Sequence, residues 1–175
     1  LAPRRRSPHC RRAARSRYGH ETLIKAVQEL HKTNDGSVVV SIIGEPGLSE
    51  HAVYLEALKR MVARFGLGDT IQFIGPVPNR EVVHYYQTAD LMVNLSGTGS
   101  LDKAVLEAMA CGCPVITSNP AFRSILGNEW VIAPNDAVAL ASSIRVVRAD
   151  ARDVGVFLAD SRLRERDHPI FGGVP

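Results

Sequence analysis

The sequence predicts an α/β fold, a Rossmann-like parallel sheet with helices on both faces. Three observations predict it. From Gly19 onward, segments with apolar residues at helical spacing alternate with short β-branched runs. Those runs are continuously apolar, as strands covered on both faces are. Glycine and proline turns separate them at the spacing of βα units, which right-handed crossovers assemble into a parallel sheet with its strand-end loops on one edge.

The elements follow in order. "HETLIKAVQELHK" places Leu23, Ile24, Val27 and Leu30 on one side of a helix, which "NDG" breaks. "SVVVSIIG" is a strand. "SEHAVYLEALKRMVARFG" is a second amphipathic helix, with Ser49 as its N-cap and Gly66 at its end. "TIQFIG" is the next strand, running into the stiff turn "GPVPN"; "NREVVHYYQTAD" is a short helix, and "LMVNLSGTG" a strand ending in glycines. A helix from Leu101 to about Cys111 precedes the strand "PVITS", the short strand "WVIAP" and the helix "DAVALASSIRVVRAD"; residues 151–166 add one more helix. Ahead of Gly19 the chain reads "LAPRRRSPHCRRAARSRY", where no strand is legible. The fold therefore lacks its first strand, which in doubly wound sheets is central, and a gap in the sheet is expected.

Length and charge bound the rest. A chain of 175 residues suits one domain with a real core. No apolar run reaches the ~18 to 20 residues that span a bilayer. The formal charge of +3 is misleading, because seven arginines (Arg4, Arg5, Arg6, Arg11, Arg12, Arg15, Arg17) crowd a segment without acids; the remainder carries 14 basic against 18 acidic residues, a net of −4. Residues 1–18 thus form a basic segment, read as disordered and without a partner. Nucleic acid, an anionic membrane and organelle targeting are its alternatives, and missing aromatic interleaving counts against nucleic acid. Three cysteines make no even disulfide framework, which points to a reducing, cytoplasmic setting, with peripheral contact to the inner membrane face open to the arginines. Cys111 and Cys113 lack further ligands at metal spacing and read as small packed residues, and the six histidines as surface or turn residues. No metal or cofactor is expected.

The stretch "GTGSLDKAVLEAMACGCPVITS" carries the chemistry. Leu101, Ala104, Val105, Ala108 and Met109 form the buried stripe of its helix, while Ser100, Lys103 and Glu107 cluster on another side near the strand ends. The helix mouth offers unpaired amides and the positive end of the dipole, and Gly97 and Gly99 permit close approach, which suits a phosphate. Lys103 adds a point charge. Glu107 lies roughly 10 Å beyond Ser100 at 1.5 Å per residue, placed to accept from two vicinal hydroxyls while a diphosphate sits at the mouth. The same residues admit a plainer arrangement, in which the glycines only make a loop, Ser100 caps the helix and Lys103 pairs with Glu107 on a solvated face. Asp102, in the first turn, suits the dipole and opposes a phosphate.

The stretches "LDKAVLEAMACGCPVITS", "IQFIGPVP", "YYQTADLMVNLS" and "GHETLIKAV", in this order, resemble the C-terminal domain of family 4 glycosyltransferases of the GT-B fold over roughly Gly19 to Asp150. The resemblance implies transfer of a sugar from a nucleotide diphosphate sugar with retention, residues 19–150 being the donor-nucleotide-binding domain. It implies that Glu107 holds the ribose hydroxyls as the second glutamate of a Glu-x7-Glu motif. Amides near Leu101, Asp102 and Lys103 receive the diphosphate. The "GPVP" turn, with Gly75 and Val77, reads the base edge; its alternative is a rigid turn set by the prolines. Gly99 stands where the first glutamate belongs and Tyr18 where the family has a phosphate-binding lysine; Arg12 and Arg17 are weak candidates for its partner arginine. Since such cations stabilise the leaving diphosphate, weak or absent catalysis is expected, the alternative being a non-catalytic nucleotide-binding or partner-binding module or an inactive fragment. Residues 151–175 match the family poorly, and the acceptor-binding N-terminal domain, the partner across the GT-B cleft, is expected to be missing, this chain being one half of a longer enzyme.

Overall fold

The computed structural model describes residues 19–33, 37–44, 49–97, 99–148 and 153–159. The tail expectations, including the arginines of 1–18, lie outside them. The elements are α1 (His20–Lys32), β1 (Ser37–Ile43), α2 (Ser49–Arg64), β2 (Ile71–Gly75), α3 (Asn79–Thr88), β3 (Leu91–Asn94), α4 (Lys103–Ala110), β4 (Val115–Thr117), α5 (Arg123–Leu126), α6 (Ala137–Arg148) and β5 (Asp153–Ala159). The five strands form one parallel sheet in the order β2-β1-β5-β3-β4.

Alternation along the strands sorts the core into two layers. Val38, Val40 and Ile42 of β1, Leu91 and Val93 of β3 and Ile116 of β4 meet Leu23, Ile24 and Val27 of α1, Leu58 and Val62 of α2 and Leu140 and Ile144 of α6. On the opposite face Met92 and Val115 meet Val82 and Tyr86 of α3 and Ala104, Val105 and Ala108 of α4. Side chains two apart share a face, so neighbours in one strand serve different layers. The cover is uneven, however: Val39 is 44% exposed and Ile74 37%. The expectation that "SVVVSIIG" is covered on both faces therefore fails at Val39, beyond the reach of the α3–α4 layer.

The expected gap does not exist. β5 pairs along its whole length with β1, Ser37 to Ile43 against Asp153 to Ala159, and across Leu91–Val93 with β3. Counting the unread front strand as the first, the order is that of a doubly wound sheet in which β5 holds the central place. Residues 153–159, expected within a last helix, are thus a strand, because unpaired main chain on both β1 and β3 offers them partners.

Local chemistry explains the ends of the helices. Gly19 opens α1 at φ 66°, and a Cβ there would meet Leu95 Cβ at 2.1 Å, so only glycine lets α1 start against the end of β3. Gly66, at φ 68°, closes α2: its N–H reaches Ala63 C=O at 3.1 Å and Leu67 N–H reaches Val62 C=O at 3.0 Å, with Val62 and Leu67 both buried. The Ser49 cap falls on a side chain outside those described. At α6, Asp136 accepts from Ala139 N–H at 2.8 Å. "WVIAP" is not a strand but a short 3-10 turn over Asn128–Trp130 and a single bridge from Val131 to Thr117. His20, expected at the surface, is buried edge-on to Tyr54 at 6.0 Å.

Candidate functional site

A parallel sheet brings its carboxyl ends to one rim, and hydrogen bonds tie the expected loops together there. Gly44 N–H donates to Gly75 C=O at 2.9 Å, and Ser118 N–H to Asn94 C=O at 2.9 Å. Beneath the loop that follows β3 lie five buried polar side chains, Asn94, Asp102, Thr117, Ser118 and Asn119. Thr117 Oγ1 donates to Asn94 Oδ1 at 3.0 Å and accepts from Asn119 N–H at 3.0 Å. Asn119 Nδ2 donates to Ser100 C=O at 2.7 Å and to Asp102 Oδ2 at 3.0 Å, and Ser96 Oγ donates to the same Asp102 oxygen. Burial of these groups is tolerated because they satisfy one another. They tie Ser96, Ser100 and Asp102 to the end of β4.

Consequently α4 begins later than expected. Asp102, not Ser100, occupies the N-cap position, and its carboxylate makes no capping bond to the helix. It turns inward to Ser96 and Asn119. The first main-chain bond of the helix is Val105 N–H to Asp102 C=O at 3.1 Å. Among the described residues, the amides of Lys103 and Ala104 ahead of it take no hydrogen bond, as first-turn amides do. Leu101, expected in the buried stripe, is 51% exposed because it precedes the helix; Ala104, Val105 and Ala108 are buried and Met109 half-buried. Ser100, Lys103 and Glu107 are exposed, as read. Lys103 makes no salt bridge to Glu107 among the described residues.

Glu107 instead accepts from the Tyr86 hydroxyl, at 3.2 Å to Oε2. Tyr86 was not among the residues singled out from sequence. One cue was available: it stands four after Val82 on the buried side of α3, and a buried tyrosine seeks a partner for its hydroxyl. Gly75 has φ 84° with nothing within 4 Å of where a Cβ would lie, so conformation rather than crowding selects glycine there. Val77 is half-buried against the α3–α4 layer, and Pro78 stands at the N-cap of α3 with φ −56°. Gly99, at φ 74°, is exposed and open. The candidate residues thus come from two places, the "GPVP" turn and α4 with the loop before it, and Val77 and Tyr86 belong to the same packed layer.

The two thiols behind α4 are free. Cys113 is buried, with its sulfur 3.7 Å from Ala89 C=O, and burial pushes its thiol from an ordinary 9.0 up to about 11.

Residues 9–150 match the model of the family described as glycosyl transferases group 1. The chain belongs to that family. Among relatives of this glycosyl transferases group 1 chain, a D-inositol 3-phosphate glycosyltransferase of Frankia alni is 32% identical over 104 residues, covering 56% of this chain and 25% of its own. A GDP-mannose-dependent alpha-(1-6)-phosphatidylinositol monomannoside mannosyltransferase of Mycolicibacterium smegmatis is 28% identical over 147 residues, covering 78% and 37%. The chain thus spans about a quarter of the length of the first of these relatives. In structure it is similar to the C-terminal domain of a glycosyl transferase group 1 family protein from Francisella tularensis, with TM-score 0.65 and 22% identity over 79% of this chain and 72% of that one. The fold is that of a Rossmann-like half of a GT-B glycosyltransferase.

Proposed function

We propose that this chain binds a nucleotide diphosphate sugar along the exposed side of α4, as the donor-binding, C-terminal half of a retaining family 4 glycosyltransferase. The observation that carries this reading is the arrangement of α4: the Lys103 side chain exposed at its mouth, and Glu107 one turn further on, hydrogen-bonded from α3 by Tyr86.

In this reading the amides of Leu101, Asp102 and Lys103 receive the diphosphate, and the Lys103 ammonium adds a charge that needs no metal ion. Glu107 accepts from the ribose hydroxyls. Gly75 and Val77 meet the base with their main chain, while Gly99 and Ser100 border the sugar. The acceptor arrives from a second domain, and the reaction takes place in the cleft between the two. With Gly99 where a glutamate is expected and Tyr18 where a lysine is, transfer by this chain alone is slow and binding is its measurable property. The GDP-mannose dependence of the M. smegmatis relative supports the class of ligand.

Calorimetry of the folded chain with UDP, GDP and ADP tests the reading. One of the three binds at micromolar to millimolar concentration, with equal affinity in EDTA. Absence of heat for all three at millimolar concentration overturns it.

A further inference from the structure

We infer that Tyr86 is a positioning residue for nucleotide recognition, acting through Glu107; this rests on the nucleotide reading of α4. The two side chains differ in what holds them. Tyr86 is 2% exposed, its ring packed in the layer that joins α3 to α4 with Val82, Met92, Val105 and Phe122. Glu107 is exposed on α4, and an exposed glutamate samples many rotamers at little cost. The phenol hydroxyl donates to Glu107 Oε2 at 3.2 Å, so a well-packed ring on α3 restrains the carboxylate.

The occupied oxygen does not exhaust the group, because an ionised carboxylate offers about four lone-pair positions. A carboxylate held in one plane meets a cis-diol in a set geometry, and the ordering is done before the ligand arrives. Preorganisation of that kind raises affinity without adding a contact to the ligand. The same tether makes α3 a sensor of the site. The "GPVP" turn runs directly into α3, so the residues proposed to meet the base and the residue that orients the ribose acceptor sit on one rigid piece. Base and ribose are therefore registered to each other through α3 as well as through β2, which ends at Gly75.

The experiment is a calorimetric cycle on the full chain, using whichever of UDP, GDP and ADP binds tightest to the wild type, together with its 2′,3′-dideoxy analogue. Tyr86→Phe removes only the hydroxyl, and thermal unfolding checks that it folds. The ribonucleotide is expected to bind about three- to tenfold more weakly to Tyr86→Phe, less than the full worth of a hydrogen bond to a charged group because the hydroxyl acts on the ligand only through Glu107. The dideoxy analogue is expected to lose less than about twofold, and Tyr86→Phe to have no further effect in a Glu107→Gln background. A merely structural role weakens both nucleotides equally, and that result overturns the proposal, as does unchanged ribonucleotide affinity. A wild-type chain that binds none of the three overturns the nucleotide reading itself and this role with it. Wild-type binding with a silent Tyr86→Phe overturns the role alone.

Discussion

Asn119 is the residue whose loss should be felt most widely, and the structure sets the size of the effect. It is wholly buried; its amide nitrogen serves Ser100 C=O at 2.7 Å and Asp102 Oδ2 at 3.0 Å, and its Oδ1 accepts from Ala121 N–H at 3.1 Å. Among the described residues Asn119→Ala deletes at least three bonds, one of them to a carboxylate that is itself 6% exposed. With ~1 kcal/mol for each neutral bond and ~1.5 to 3 for the charged one, the loss is about 3.5 to 5 kcal/mol. Asn119→Asp keeps the shape but sets a carboxylate against Asp102 and the Ser100 carbonyl, so the cost at neutral pH is larger than for alanine. The sign of its pH dependence follows. In that variant one of the paired carboxyls titrates above the ordinary carboxylate range in the folded state, so the fold binds more protons than the unfolded chain just above pH ~4. The penalty is thus full near neutrality and relaxes as pH falls through that raised value. Urea unfolding followed by Trp130 fluorescence between pH 5 and 8 measures both variants. Equal stability of Asn119→Asp and wild type at pH 7.5, or a pH profile no different from that of Asn119→Ala, would refute the assignment of this network.

β5 is tested by Val156→Pro, at a position in register with both Val40 and Leu91; loss of a ladder donor in a central strand should abolish cooperative unfolding in the soluble chain, and a normal melt would show that β5 is dispensable. Cys113 should resist alkylation at pH 8 while half-buried Cys111 reacts, as read by mass-spectrometric mapping. Because burial raises the Cys113 thiol from 9.0 to about 11, its contribution to stability is complete below pH 9 and fades as pH rises toward 11, which alkaline unfolding of Cys113→Ala against wild type detects. Lys103→Gln should weaken a nucleoside diphosphate by about fivefold at low salt and less at high salt, with no change in melting temperature, since Lys103 is exposed.

Amphipathic period made the helices legible. α1, α3 and α6 run within two residues of where the apolar spacing put them, and β1 to β4 fall on their β-branched runs. The polar face of α4 was legible for the same reason. What sequence could not supply was tertiary pairing: Tyr86 meets Glu107 across 21 positions and Asn119 meets Asp102 across 17, with no local periodicity to report either. The seven residues of β5 are the sharper case. "DVGVFLA" follows a helix with no proline, and residues this short and apolar fit either period. Its strand character comes from the unpaired edges of β1 and β3, which are properties of two other segments. An illegible front strand and a misread last segment were therefore one problem.

Asp102 bears on whether α4 can hold an anion at all. From sequence, an acid in the first turn counts against a phosphate. Its orientation changes that balance without removing it. A phosphate oxygen about 6 Å from the carboxylate would feel roughly 3 kcal/mol of repulsion at an effective dielectric near 20. Each amide-to-phosphate bond contributes about 1.5 to 3 kcal/mol, so two amides at the helix mouth outweigh the acid, and Lys103 adds to them. The inward turn also gives those amides their direction, because Asp102 is the point where Ser96 and Asn119 grip the loop. Neutralising it as Asp102→Asn would lower the repulsion but leave one amide group facing another at Asn119, loosening the stretch that presents the amides. On the nucleotide reading, the acid is thus better understood as the anchor of the turn proposed to bind the diphosphate than as its opponent.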